Sequence, residues 1–580
     1  MDTIVGTALM LVIFLGIAAA FQLSIDVVTN NKARGSAVAL AGERMEYIRS
    51  LSYASIGTSG GIPAGSIAQS EIVTLNGIPF TRRTTIAYVD DSKDGTGVSD
   101  SNGITADYKT VKVDVAWTSR TGTRDIVLVS RIEPSNGMEI ACPPLTPCGT
   151  LTINVGDASS QPLSGASVSI TNSSVVPAIS ISTFTNTSGV ASFVGAPVSG
   201  GYQIVVTKTG YSTAQTYSVS NPNPGALSVL SSQTTSGTFF IDVLGQKTIQ
   251  TWTQILSGTW TDTFADTTKI DSSSTTTVAS GIVRLTGSSG TYPSTGTFRS
   301  IAIAPASLNT WKSFSAATST PAQTSIRFRF YDASGTTLIP DSAIPGNSAG
   351  VATSTISLLG VSTSTYPSLV VGATLASSDP AATPSIDSYS ILYDYGPTPL
   401  PSIAFTMQGA KTIGSDGSGP IYKYSQNLNS GSGSSLLISN LEYDTYTLSV
   451  NGTATGYDIA SVCHPQSEYL AQSASTTRFS FSPGVQSTSA IYLAAHTTNS
   501  LLVDVRAASN GNVIPGASVS LWKVGTATTT VVADSCGQAF FSGLSAATYS
   551  VSSSVSGYTT YWGISAAPVS GVSKFSVPQN

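Results

Sequence analysis

The first fifty residues constrain this chain more than any other stretch. Between Thr3 and Ile25 there is no charged side chain, and Ala8 to Leu15 is apolar on every face. About twenty such residues in a helix span the hydrocarbon core of a bilayer. The helical pattern continues past that length. From Lys32 to Leu51 it turns amphipathic, with Val38, Ala41, Met45 and Ile48 on one stripe and Lys32, Arg34, Glu43 and Glu46 mostly off it. The first proline is Pro63, so one helix of roughly fifty residues, about 75 Å long, is permitted. Such a helix suits lipid over its first half and a soluble domain over its second. Two plainer readings stand beside this one. A cleaved signal peptide would want a basic start, where Met1-Asp2-Thr3 stands instead; a simple membrane anchor needs nothing more.

Beyond the helix the chain changes character. Only 10% of the 580 residues are charged and the net charge is −5, which gives nucleic acid no basic stripe to bind. With 53 Gly, 28 Pro and abundant Ser and Thr, the chain reads as many short strands joined by turns. The length suits about four or five domains. Two His and four Cys leave little material for acid–base chemistry or metal sites.

Gly57 to Pro63 is a loop by composition. Glu71–Leu75 and Phe80–Tyr88 alternate around Asn76-Gly77, a strong hairpin signal. Tyr108–Trp117 and Asp125–Ile132 alternate in the same way. A long helix laid across these strands makes an α+β unit over residues 31–134, after a transmembrane or filament-core helix over 1–30.

These stretches together resemble a type IV pilin-like protein of the PilV class of minor pilins. The resemblance is carried by the helix ending Ala39 to Leu51, by Val73 to Arg82, and by Tyr88-Val89-Asp90-Asp91 followed by Asp107 to Val113 and Ala116-Trp117. It implies a structural subunit of a bacterial type IV pilus or related filament, and not an enzyme. The implied partners are other pilin subunits, met through the helix, and the inner membrane before assembly; the destination is an extracellular filament or the cell surface. Members of the family carry a short basic leader ending in Gly, with an acidic residue shortly after the cleavage site. Asp2 stands where that residue would, and the resemblance gives it an assembly role, pairing with the terminal amine of a neighbouring subunit. With Lys32 and Arg34 as the nearest flanking cations, the positive-inside rule alone would send the tail into the cytoplasm. The expectation is therefore a leader encoded upstream of Met1.

Residues 135–149 read as a Pro-stiffened linker holding Cys142 and Cys148, spaced to close a small disulfide loop in an exported chain. A metal site there lacks any neighbouring His. Residues 150–237 and 498–580 repeat one another. Gly165-Ala166-Ser167-Val168-Ser169 recurs as Gly516-Ala517-Ser518-Val519-Ser520, and Tyr202 to Gly210-Tyr211 recurs as Tyr549 to Gly557-Tyr558. A diverged copy spans 399–497, with Tyr446 and Gly456-Tyr457. These units resemble carboxypeptidase regulatory-like modules, which implies Ig-like β-sandwiches and no catalysis. The block 240–398 is punctuated differently and suits a larger, jelly-roll-like sandwich, loosely resembling carbohydrate-binding ones. The fold class is thus multidomain and mainly β: a long N-terminal helix on an antiparallel sheet, then a string of sandwiches.

Candidate chemistry is sparse. His464-Pro465-Gln466-Ser467-Glu468 lacks the spacing of a zinc hydrolase, and no cofactor is implied. Gly57 to Gly61 and Gly346 to Gly350 match G-x-S-x-G but lack the strand-to-helix context of a nucleophile elbow. Asp90, Asp91, Asp94, Asp100 and Asp107 could gather calcium, though without EF-hand spacing, or form a solvated acidic loop. Cys463 and Cys536 either pair between adjacent modules or stay as free thiols. Trp522, Tyr558, Tyr561 and Trp562 either fill a core or form a sticky tip for a surface glycan or protein. The alternative for the whole chain is a single-pass membrane-anchored surface protein with an adhesive stalk that never enters a filament.

Overall fold

The structure is a computed structural model that describes residues 2–91, 93–95, 101, 106–120, 122–134, 147–288, 290–470 and 477–580. Helix α1 runs Asp2–Ser50 without interruption. Its C-terminal half buries Ala33, Ala37, Leu40, Ala41, Met45 and Ile48, which recur every three or four residues and so share one face. Val38, expected on that stripe, is 46% exposed. The face is centred instead on the alanines, whose small side chains let the helix axis approach the sheet closely.

That sheet is a four-stranded antiparallel meander of β1 (Ser70–Leu75), β2 (Ile78–Val89), β3 (Tyr108–Ser119) and β4 (Gly122–Ile132). Asn76 and Gly77 both take positive φ, 54° and 79°, as a tight two-residue hairpin turn requires. Phe80, Ile86, Val111, Val113, Val115 and Trp117 form the sheet's side of the core. Buried Arg82 ties helix to sheet by bridging Glu43 at 3.1 Å and Glu71 at 3.0 Å. Lys109, also buried, donates to the carbonyls of Tyr53 (2.7 Å) and Ile56 (2.6 Å) where the chain leaves the helix. Burial pushes its amine down to about 8.

Strand β5 (Cys148–Gly156) opens the next unit, so Cys148 and Gly149 belong to a strand rather than to the expected linker. It lies between Thr234–Phe240, parallel, and Val190–Pro197, antiparallel. This sheet faces a second one built on Ser167–Asn172 and Ser199–Thr207. The C-terminal unit repeats the plan: Ser500–Ala507 pairs in parallel with Val572–Gln579 and antiparallel with Gln538–Phe541.

The middle unit follows the same plan with one large difference. Its first strand is Gly245–Thr253, parallel to Gln486–Ala495 and antiparallel to Ser435–Leu441. That strand falls within the block expected to end at 398, but its pairing belongs with the residues expected to form a unit from 399. The larger sandwich is therefore an insertion between the first and second strands of the middle unit. Its two connections run side by side: Thr253 N–H donates to Thr398 O and Thr398 N–H to Thr253 Oγ1, both at 2.9 Å. Leu256–Asp262 then pairs antiparallel with Ser385–Tyr395.

The inserted sandwich faces a four-stranded sheet against a six-stranded one. Between them lie Phe264, Phe298, Phe314, Phe328, Trp311 and Tyr389, with Trp311 Nε1 donating to Tyr366 O at 2.9 Å. The recurring tyrosines of the other sandwiches each lock a corner. Tyr202 Oη donates to Pro197 O (2.6 Å), Tyr446 Oη to Glu442 O (2.7 Å) and Tyr549 Oη to Ser545 O (3.2 Å).

Candidate functional site

Among the described residues, the side chains of the N-terminal half of α1 have no covering. Phe14, Leu15, Phe21, Leu23 and Val28 are exposed, Phe14 by 65% and Phe21 by 70%. Among the described residues this is the one helix long and apolar enough to cross a membrane, and none of its apolar window is buried. Fully burying one such side chain stabilises by about 1.5–3 kcal/mol. A surface of this kind is driven into lipid or against other helices. The boundary is marked by Asp26, paired with Arg120 at 3.2 Å, just before Ala33 begins the buried face. Asp2 begins the helix, and its side chain lies outside the described residues.

The sequence-selected chemistry resolves into structural roles. Cys463 and Cys536 are joined by a disulfide, with Cα atoms 5.4 Å apart, across the joint between the middle and last units. Cys148 is also disulfide-bonded, whereas Cys142 lies outside the described residues. His464 is buried, with Nδ1 2.7 Å from Ser489 Oγ and its ring 4.8 Å from that of Phe479. Glu468 does not join it but pairs with Lys247, both wholly buried. His496 Nδ1 lies 2.8 Å from Asp458 Oδ1.

In the acidic loop, Asp107 accepts the Asp91 N–H and Asp91 faces Arg131 at 3.5 Å. Asp100 lies outside the described residues, and no metal-holding cluster occurs among the described ones. At Gly346–Gly350, Ser348 Oγ donates to Asp341 at 2.6 Å and Asn347 is buried against the Phe330 backbone, so the segment is a pinned loop.

The loop at Gly57–Pro63 does something composition does not show. Ile62 is 4% exposed and belongs to the hydrophobic core of the first sandwich. Ser180 N–H donates to Gly60 O at 2.7 Å, and Gln69 Nε2 spans Ser59 O (2.8 Å) and Ser180 O (2.6 Å). Ile62 stands alone among Gly60, Gly61 and Pro63, with no apolar periodicity around it to mark its burial. Among the C-terminal aromatics, Tyr561 packs against the core of its unit, while Trp522 and Trp562 meet edge-on at 6.0 Å. Trp562 and Tyr558 are exposed.

No family model matches the sequence, and no curated protein matches it. Among solved structures the chain is similar to the TIE protein of Bacillus anthracis, at 10% identity over 88% of this chain and 74% of that one, with a TM-score of 0.15. It is similar to BcpA, the major pilin subunit of Bacillus cereus, at 9% identity over 74% and 99%, TM-score 0.12. It is also similar to the RrgB pilus protein of Streptococcus pneumoniae, at 9% identity over 72% and 93%, TM-score 0.12. At these TM-scores the likeness carries no argument about fold or function.

Proposed function

We propose that the chain is a pilin-like structural subunit of a type IV pilus or related filament. In this reading the uncovered half of α1 sits in the inner membrane before assembly and then packs against the same helix of neighbouring subunits. The sandwiches project outward for adhesion or surface contact. One observation carries it: a single unbroken helix is bare and apolar over one half and buried in a four-stranded sheet over the other. Asp2 is proposed to pair with the terminal amine of a neighbour at that assembly surface. The runner-up is a single-pass anchored surface protein, for which the same apolar length suffices.

A cysteine placed in the bare half, Leu15→Cys, tests the choice. In a filament, oxidation of a sheared extracellular fraction traps disulfide-linked subunits. An anchored monomer leaves the protein in the membrane fraction and the shear fraction empty.

A further inference from the structure

We infer that the outer face of the inserted sandwich's four-stranded sheet binds a carboxylate-bearing saccharide. The inference goes beyond filament assembly and does not depend on it. Ladder register sets the site. Ser272, Arg299, Gly372 and Arg329 stand side by side on four neighbouring strands, and Ser274, Thr297 and Thr374 form the next row on the same face. The alternating partners, Phe298 and Phe328, point into the core. Between the two arginines lies a cavity of about 270 Å³.

Its floor exists because residue 372 is glycine: a Cβ there would come within 2.8 Å of the Tyr331 ring. Arg329 is held in place by donating to Ser348 O (3.3 Å), Ala349 O (3.2 Å) and Thr374 Oγ1 (3.4 Å). Arg299 lies 4.8 Å from the Tyr331 ring centroid and, among the described residues, makes no hydrogen bond or ion pair. No carboxylate lines the cavity. The nearby Asp332 and Asp341 are occupied by Ser334 and Ser348.

A free guanidinium offers a planar fork that matches a carboxylate in two parallel hydrogen bonds. The hydroxyls of Ser272, Ser274 and Thr297 supply short donors and acceptors suited to sugar hydroxyls, while Thr374 Oγ1 and the Tyr331 ring steady Arg329 and Arg299. An acidic peptide is favoured less, because the central strands under the cavity, Thr295–Ser300 and Val370–Ser377, each have a strand neighbour on both sides and offer a peptide no ladder across that face. In a chain of net charge −5, two arginines without a counter-charge in one cavity are a concentrated anion signal.

The test uses the full chain in non-ionic detergent, titrated calorimetrically with an oligogalacturonate, with the same oligomer fully methyl-esterified, and with an oligoglutamate. The acid saccharide is expected to bind at least tenfold tighter than either control. Arg299→Ala should lower that affinity at least tenfold, and Arg299→Lys, which keeps charge but loses the fork, should fall between. Near-UV circular dichroism of the buried Trp311 verifies that both variants are folded. Equal binding of the esterified oligomer, binding of oligoglutamate as tight as the saccharide, or full affinity in folded Arg299→Ala would each overturn the inference. None of these outcomes touches the helix, so the assembly reading stands or falls separately.

Discussion

Gln538, in the last unit, makes both hydrogen bonds of a backbone strand partner with Val462 of the middle unit: its Oε1 accepts from Val462 N at 2.8 Å and its Nε2 donates to Val462 O at 2.7 Å. The contact sits beside the Cys463–Cys536 disulfide. Gln538→Leu would leave both Val462 groups buried and unpaired, at about 1–3 kcal/mol for each. The expected result is a lower melting temperature for the two C-terminal units, with a larger drop after reduction of the disulfide. Differential scanning calorimetry with and without reductant reads both.

The Lys247–Glu468 pair joins groups 221 residues apart and closes the middle unit around its insertion. Removing one partner strands a buried charge, so Glu468→Leu alone should cost about 3–5 kcal/mol, while Lys247→Met with Glu468→Leu should be close to neutral. Urea denaturation of the single and double variants distinguishes this from simple loss of packing, which would make the double variant the worse of the two.

Asp504 is buried beside Arg506, and burial pushes its carboxyl up to about 6 despite that partner. Because the folded pKa lies above the unfolded one, the folded state holds more protons between about pH 4 and 6. This group's contribution to stability is therefore fully present below the unfolded value and is lost as pH rises through about 6. Thermal melts of wild type and Asp504→Asn across pH 4 to 7 should show a wild-type advantage that shrinks toward neutrality. A difference that is flat with pH would contradict this.

Ile62 belongs to the core of the first sandwich although it is carried by the loop after α1. Ile62→Ala should destabilise by about 2–5 kcal/mol. It should also loosen the helix-bearing unit from that sandwich, read as faster limited proteolysis in residues 57–65. Val176→Ala, at a fully exposed neighbour, should do neither.

The sequence disclosed the elements whose cause is local. A proline-free run set the helix length, Asn76-Gly77 set the hairpin, and the recurring tyrosines marked the repeated units, though not the corners they close. What it hid depends on partners far along the chain. The alternation in Gly245–Thr253 shows a strand, but nothing in it names Gln486–Ala495 as the neighbour. The row from Arg299 across Gly372 to Arg329 exists only once register is fixed, since a slip by one residue would turn those side chains into the core. On the helix, apolar bulk drew attention to Val38, whereas close approach to a sheet selects Ala33 and Ala37 beside the expected Ala41. The seating of Ile62 was equally out of reach, because a single apolar residue in a glycine-rich loop has no periodicity to read.

The insertion's paired connections have a mechanical consequence. In the middle unit the chain arrives at Gly245 and leaves after Ala495, on two strands that lie parallel and hydrogen-bonded. Tension applied along the chain, between the helix and the last unit, pulls those strands past each other in shear, so their ladder bonds share the load instead of opening one at a time. The inserted sandwich hangs outside that path, tethered at Thr253 and Thr398. A pull strong enough to stretch the chain would leave its arginine-lined face undistorted until the strands that carry it had already parted.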